Sequence, residues 1–182
     1  MKILLLSESQ AIYDFLISQG EIVHMTMESV EDSDADFIVS YGYRHILKKP
    51  VLDKFRDRAI NLHISYLPWN RGADPNLHSF VDGTPKGVTI HFMDEGIDTG
   101  DIIAQRYLKF DYDTDTLRTF YDKLSECVED LFMKTWKYIR EGRAKRYPQT
   151  TFHTSNEKDA YIDLLPDGWD TPVKDVIRGL KK

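Results

Sequence analysis

Residues 2–6 (Lys-Ile-Leu-Leu-Leu), 37–41 (Phe-Ile-Val-Ser-Tyr) and 59–63 (Ala-Ile-Asn-Leu-His) are short apolar runs, each followed within two residues by serine or glycine. Runs of this length suit buried strands and are too short for helices. The residues between them read differently. Ser7 and Ser9 offer capping hydroxyls, Ile12, Phe15 and Leu16 recur at helical spacing, and Gly20 stops the pattern. Ile22-Val23 opens a further strand, and Leu52 with Phe55 marks a helical turn. Strands alternating with short helices predict parallel pairing through right-handed crossovers. The fold class is therefore α/β, a mostly parallel sheet flanked by helices, and ligands bind such sheets outside the carboxyl ends of the strands.

The second half extends this plan. Val88 to Phe92 alternates as a fifth strand; Ile102 to Ala104 and Tyr107 to Phe110 make a sixth, interrupted at Gln105-Arg106. The acidic stretch from Glu28 to Asp36 reads as an exposed connection or short helix. Residues 114–141 carry one wide apolar stripe through Leu117, Phe120, Leu124, Val128, Phe132 and Trp136, ended by Gly142, and predict a long core-packing helix. Residues 1–150 read as one domain. Residues 151–182 read as a short carboxyl-terminal extension packed on it, with a final helix at 172–180.

Composition narrows the function. Of 182 residues, 41% are hydrophobic and 30% charged, a globular balance, and the formal net charge of -6 does not favour nucleic acid or an anionic membrane. One cysteine excludes an intrachain disulfide. The opening apolar run is too short for a signal peptide or a membrane span, so a cytoplasmic protein is expected.

Asn61 and His63 share one side of their strand by its two-residue period and lie at its carboxyl end. Some thirty residues on, Asp98 sits in the Gly-rich turn Glu95-Gly-Ile-Asp-Thr-Gly-Asp101. An imidazole, a carboxylate to orient it and a neighbouring amide donor are what an acyl-transfer site requires. His24, His78 and His153 carry no special context, and His91 fits a packing role within its strand. No compact ligand spacing occurs, so no metal is expected. Ser65 lacks a nucleophile elbow, and no Gly-rich phosphate loop follows the first strand.

In order along the chain, Asn61-x-His63-x-Ser65-x-Leu67-Pro68, Arg71-Gly72, Gly87-Val88-Thr89-Ile90-His91 and Ile97-Asp98-Thr99-Gly100-Asp101-Ile102-Ile103 resemble the folate-dependent formyltransferase family. The resemblance covers roughly residues 37–110 and implies a Rossmann-like formyltransferase fold, with 10-formyltetrahydrofolate as formyl donor and no metal. It implies Asn61, His63 and Asp98 as catalytic residues. Gly42, Tyr43, Arg44, His45, Ile46 and Leu47, with Asp94, Glu95, Gly96 and Ile97, would form the folate pocket. Asn61 would donate to the oxyanion, a contribution of roughly 2.7–4 kcal/mol, and His63 with Asp98 would handle the proton.

The amino-terminal half reads as shortened, by one strand–helix unit. The missing phosphate loop argues against glycinamide ribonucleotide as acceptor, and the length after residue 150 argues against a tRNA-binding domain. The loop from Tyr66 to Gly72 resembles that of the sugar N-formyltransferases. The expected acceptor is a small-molecule primary amine, an amino sugar or its nucleotide-linked form, with Ser65, Pro68, Trp69, Asn70, Arg71, Gly72, Asp74 and Asn76 as its pocket. A homodimer through the long helix is a further expectation. The competing readings are a non-catalytic folate or nucleotide-sugar binding module and a formyl-folate hydrolase.

Overall fold

The computed structural model describes residues 1–150, 152–156, 161 and 165–179. Six strands form one sheet: β1 (Lys2–Leu6), β2 (Ile22–Thr26), β3 (Phe37–Tyr41), β4 (Ala59–His63), β6 (Gly87–Phe92) and β7 (Ile102–Tyr107), in the order β2-β1-β3-β4-β6-β7. The first four pair in parallel, β4 pairs antiparallel with β6, and β6 antiparallel with β7. All six predicted strands are present. β7, however, runs unbroken through Gln105 and Arg106 and stops before Leu108. Its polar side chains find partners off the strand, Gln105 on the Leu67 carbonyl at 2.7 Å and Arg106 on Asp130 at 2.5 Å.

The strand period divides the core in two. Ile3, Leu5, Val39, Ile60, Leu62, Val88 and Ile90 face one side, where they meet α1 (Gln10–Ser18) and the long α4 (Leu117–Arg140). Leu4, Leu6, Ile38 and Ala59 face the other, where the six-residue α2 (Lys49–Lys54) covers them with Val51, flanked by the buried Leu47 and Phe55. α4 begins under a capping box between Thr116 and Thr119 and ends at Gly142, which has φ +65°. Its Phe132 and Trp136 lie fully inside, in ring contact with Phe15 and Phe37.

Three further features complete the fold, and the second of them differs from expectation. The acidic connection 27–36 holds no helix and is pinned by the exposed pairs Glu31–Lys48, Asp32–Lys54 and Asp34–Lys2. Such pairs contribute little each. A helix not foreseen, α3 (Pro75–Val81), is buried from Pro75 to Phe80, including Asn76, His78 and Ser79. Its carboxyl end is closed by Lys86, whose Nζ donates to the Ser79 and Thr84 carbonyls at 2.7 and 2.8 Å and lies 4.9 Å from the Phe80 ring. The tail contributes β8 (Ser155–Asn156), which pairs with the two-residue β5 (Arg71–Gly72), a 3-10 turn (Gly168–Asp170) and α5 (Val173–Gly179). Residue 180 of the expected final helix lies outside the described residues. No described helix is long and apolar enough to cross a membrane.

Because Phe132 is enclosed, Phe132→Ala should cost about 3–5 kcal/mol of unfolding free energy in urea titrations. Ile22→Ala on the exposed edge strand β2 should stay within about 0.5 kcal/mol. Equal effects would contradict the placement of Phe132 inside the core and Ile22 on its exposed edge.

Candidate active site

At the carboxyl end of β4 the side that α2 leaves uncovered becomes polar. Asn61 and His63 continue the face begun by Ala59, and Thr89 and His91 occupy the same face of β6. The antiparallel register sets Asn61 opposite His91 and His63 opposite Thr89. Over this patch lies the 94–101 turn. Asp94 closes it by accepting the Gly96 N–H at 3.1 Å and the Thr99 hydroxyl. Asp98 has φ +53°, a left-handed conformation that is costly for a residue with a β-carbon. Gly100 passes so close to Phe92 that a β-carbon there would stand 1.9 Å from its carbonyl oxygen.

The three predicted catalytic residues meet. Asp98 Oδ1 accepts from Asn61 Nδ2 at 3.2 Å, and Oδ2 lies 3.6 Å from His63 Nδ1 and accepts the Gly72 N–H at 2.9 Å. His63 Nε2 is 3.0 Å from the Asn70 carbonyl. A carbonyl only accepts, so Nε2 carries hydrogen and Nδ1, facing Asp98, is the nitrogen left to gain or lose a proton. Sequence reasoning missed His91, whose Nε2 lies 3.3 Å from Asp98 Oδ1 and 3.4 Å from Asn61 Nδ2 while Nδ1 donates to the Phe92 carbonyl at 2.8 Å. His91 is invisible to spacing within its own strand; its meaning comes from the strand beside it.

Burial opposes ionisation of Asp98, yet the charges of His63 and His91, the His91 hydrogen bond and the Gly72 N–H outweigh it. They hold this carboxyl well below the usual carboxylate range. The centre is thus a fixed anion between two imidazoles, with both imidazole rings buried and 12% of the Asp98 side chain exposed.

The two loops assigned to folate flank this centre. Gly42, Arg44, His45 and Ile46 are exposed, Tyr43 is half-buried with its hydroxyl on the Glu28 carbonyl, and Leu47 is buried. Ile46 and Ile97 are 80% and 60% exposed, apolar surface left open in both loops, and Lys49 bridges to Glu95 between them. A crevice of about 520 Å³ opens beyond β1 and β3, lined by Ser9, Tyr41, Gly42, Arg44, His45 and Tyr121.

The proposed acceptor loop is more buried than expected. Asn70 is fully enclosed, its N–H on Thr154 Oγ1, its side chain on Asp82 and Thr84 and its carbonyl on His63. Ser65 Oγ donates to the Trp69 carbonyl at 2.7 Å. Arg71 is buried and donates twice to Gln149. Asn76 lies inside α3 and donates to the Leu117 carbonyl. Asp74 precedes α3 in a left-handed conformation. Pro68, Trp69 and Gly72 are half-buried. Among the described residues no group of three or more His, Cys, Asp or Glu could hold a metal ion.

The Formyl transferase family profile matches residues 8–135. The methionyl-tRNA formyltransferase of Agathobacter rectalis is 36% identical over 158 residues, 85% of this chain and 51% of that protein, and that of Listeria monocytogenes is 33% identical over 158 residues, 85% and 50%. The chain spans about half the length of these relatives. Among solved structures, the formyltransferase PseJ from Anoxybacillus kamchatkensis, in complex with UDP-4,6-dideoxy-4-formamido-L-AltNAc and tetrahydrofolate, superposes with a TM-score of 0.93 at 47% identity, covering 97% of this chain and 98% of that one. The N-formyltransferase from Helicobacter canadensis, at 19% identity, TM-score 0.73, and coverage of 98% and 79%, shares the fold.

The lowered Asp98 pKa gives the stability of the centre a sign. Its contribution is complete above the ordinary carboxylate value and is lost as pH falls toward the lowered one. Asp98→Asn should therefore cost about 1–3 kcal/mol at neutral pH, and the deficit should shrink as pH drops below about 4. Guanidinium titrations across that range measure it; a deficit unchanged to low pH would remove the charge as its origin.

Proposed function

The chain belongs to the Formyl transferase family, and we propose that it transfers a formyl group from 10-formyltetrahydrofolate to the primary amine of a nucleotide-linked amino sugar. The likeness to PseJ along nearly the whole of both chains, with its UDP-linked formamido sugar and tetrahydrofolate, carries the choice of acceptor and donor. The exposed isoleucines and irregular backbone of the 42–47 and 94–97 loops fit a flat heterocycle that needs both apolar contact and main-chain hydrogen bonds. When bound there, the folate supplies an activated formyl carbon.

The residues then divide the work. An amine attacks only as the free base, and a carbonyl oxygen under attack gathers negative charge. Asn61 brings an N–H donor to the carboxyl end of β4, where that charge would be met. In the ligand-free site its amide nitrogen faces Asp98 and His91, so meeting the substrate means exchanging one of these contacts. His63 takes the amine's proton at Nδ1 while Nε2 stays on Asn70, and the fixed Asp98 anion stabilises the resulting imidazolium. The proton can then pass from Nδ1 to the departing nitrogen. No covalent enzyme intermediate is required.

The crevice beside Gly42 and His45 gives the acceptor's distal portion a place next to the folate loops. Trp69, its ring 5.0 Å from that of Phe152, stands at the edge of the loop that holds His63 and suits a sugar face.

Mass spectrometry of UDP-linked amino sugars incubated with the formyl donor should show the formyl mass increment. His63→Ala, Asn61→Ala and Asp98→Asn should each lower kcat by about 10²–10⁴ with the circular-dichroism spectrum retained. Formate release without acceptor would point to hydrolysis, folate binding without turnover to a binding module, and formylation of methionyl-tRNA alone to the activity of the longer relatives. Wild-type rates in the His63 variant would end the assignment.

A further inference from the structure

Gln149 follows Pro148, beyond α4 and outside the sheet. Its half-buried side chain makes four hydrogen bonds. Oε1 accepts from Arg71 Nε at 3.1 Å and Nη2 at 2.6 Å, and Nε2 donates to the Asp98 carbonyl at 2.9 Å and the Gly100 carbonyl at 2.8 Å. A carboxamide has two donors and two acceptor lone pairs, so this one is saturated.

Both partners depend on it. Asp98 sits in a left-handed conformation, and Gly100 is pressed against Phe92, so the 98–100 turn has little freedom once its carbonyls are held. Arg71 is a buried cation with no carboxylate in ion-pair contact among the described residues, and the Gln149 oxygen answers its charge. The following residues continue the same hold. Phe152 packs on Trp69, Thr154 accepts the N–H groups of Asn70 and Arg71, and Ser155 pairs with Arg71.

We propose that Gln149 is a positioning residue of the transfer reaction: through the 98–100 carbonyls it sets the Asp98 carboxylate against His63 and Asn61, and through Arg71 it couples that turn to the 69–72 loop. The inference rests on the function proposed above. Gln149 touches neither His63 nor Asn61; it acts through the backbone of Asp98. The lever is short. Asp98 Oδ2 and His63 Nδ1 stand 3.6 Å apart, just beyond hydrogen-bond reach, where a small displacement decides whether the bond is made. The charged or titratable groups around Asp98 are His63 from β4, His91 from β6, and Arg71 and Asp94 from the flanking loops.

Two variants separate the halves of the role. Gln149→Leu removes all four bonds. Gln149→Glu keeps acceptors for Arg71 but loses both donors to the turn. With the full chain, each should lower kcat by about tenfold to a hundredfold, while the KM for the formyl donor stays within about twofold. The acceptor KM should rise in Gln149→Leu and hold in Gln149→Glu. Independently of turnover, the imidazole ¹⁵N resonances of His63 and His91 should shift in both variants against a dispersed amide spectrum. Loss of a merely structural residue would lower the melting temperature and leave those rings in place. If the leucine variant does not fold, the glutamate variant carries the test. Unmoved ring resonances in a folded variant overturn the proposal, whatever the rate. If the wild type transfers no formyl group, the functional reading fails while the ring resonances still decide the positioning.

Discussion

The pairing of β4 with β6 governs this molecule. Strand period two means that one register decides which side chains share a face. Here that register puts Ile60, Leu62, Val88 and Ile90 under α4 and Asn61, His63, Thr89 and His91 on the opposite face. A slip of one residue in β4 would turn Asn61 and His63 toward α4 and Ile60 and Leu62 away from it. The hydrophobic requirement of the core therefore also aligns the active-site donors and acceptors, and stability on one side of the sheet fixes chemistry on the other.

That division lets the sheet tolerate a costly turn. Asp98 is a largely buried charge in a left-handed conformation, each condition unfavourable by itself. The compensation comes from several directions: the Gly72 N–H from the neighbouring loop, the Asn61 amide from the strand below, and Gln149 on the backbone of the turn. Thr89 ties the segment after β4 to β6, accepting the Leu67 N–H and donating to the Ser65 carbonyl. The polar patch is thus connected throughout, and a connected patch is the kind that holds one geometry.

What could be read in the sequence follows from the range of each signal. The strands, the α1 cap at Ser9 and the stop of α4 at Gly142 depend on neighbours a few residues away, and the chain spells them out. The meeting of Asn61, His63 and Asp98 was legible as a resemblance spanning several segments. His91 was not, because its partner belongs to another strand. Gln149 was hidden for the same reason, a single polar residue after a proline whose three partner residues lie some fifty to eighty positions upstream. The α3 helix escaped because Asn76, His78 and Ser79 break its apolar stripe and Asp74 enters it without a side-chain cap. Gln105 and Arg106 misled in the other direction, since polar residues on an edge strand can reach partners without ending it.

The polar atoms of the centre are engaged with one another. The Asn61 amide nitrogen faces His91 and Asp98, His63 Nε2 is bound to Asn70, and Asp98 accepts from both sides. A substrate has to displace an existing contact, and the Asn61 amide is the natural one to yield. Its nitrogen lies 3.2 Å from Asp98 and 3.4 Å from His91, at the weak end of hydrogen-bond geometry. In the transfer proposed above the carboxylate is not left alone when the amide turns away, because the His91 ring lies 3.3 Å from Oδ1 and the Gly72 N–H is held on Oδ2.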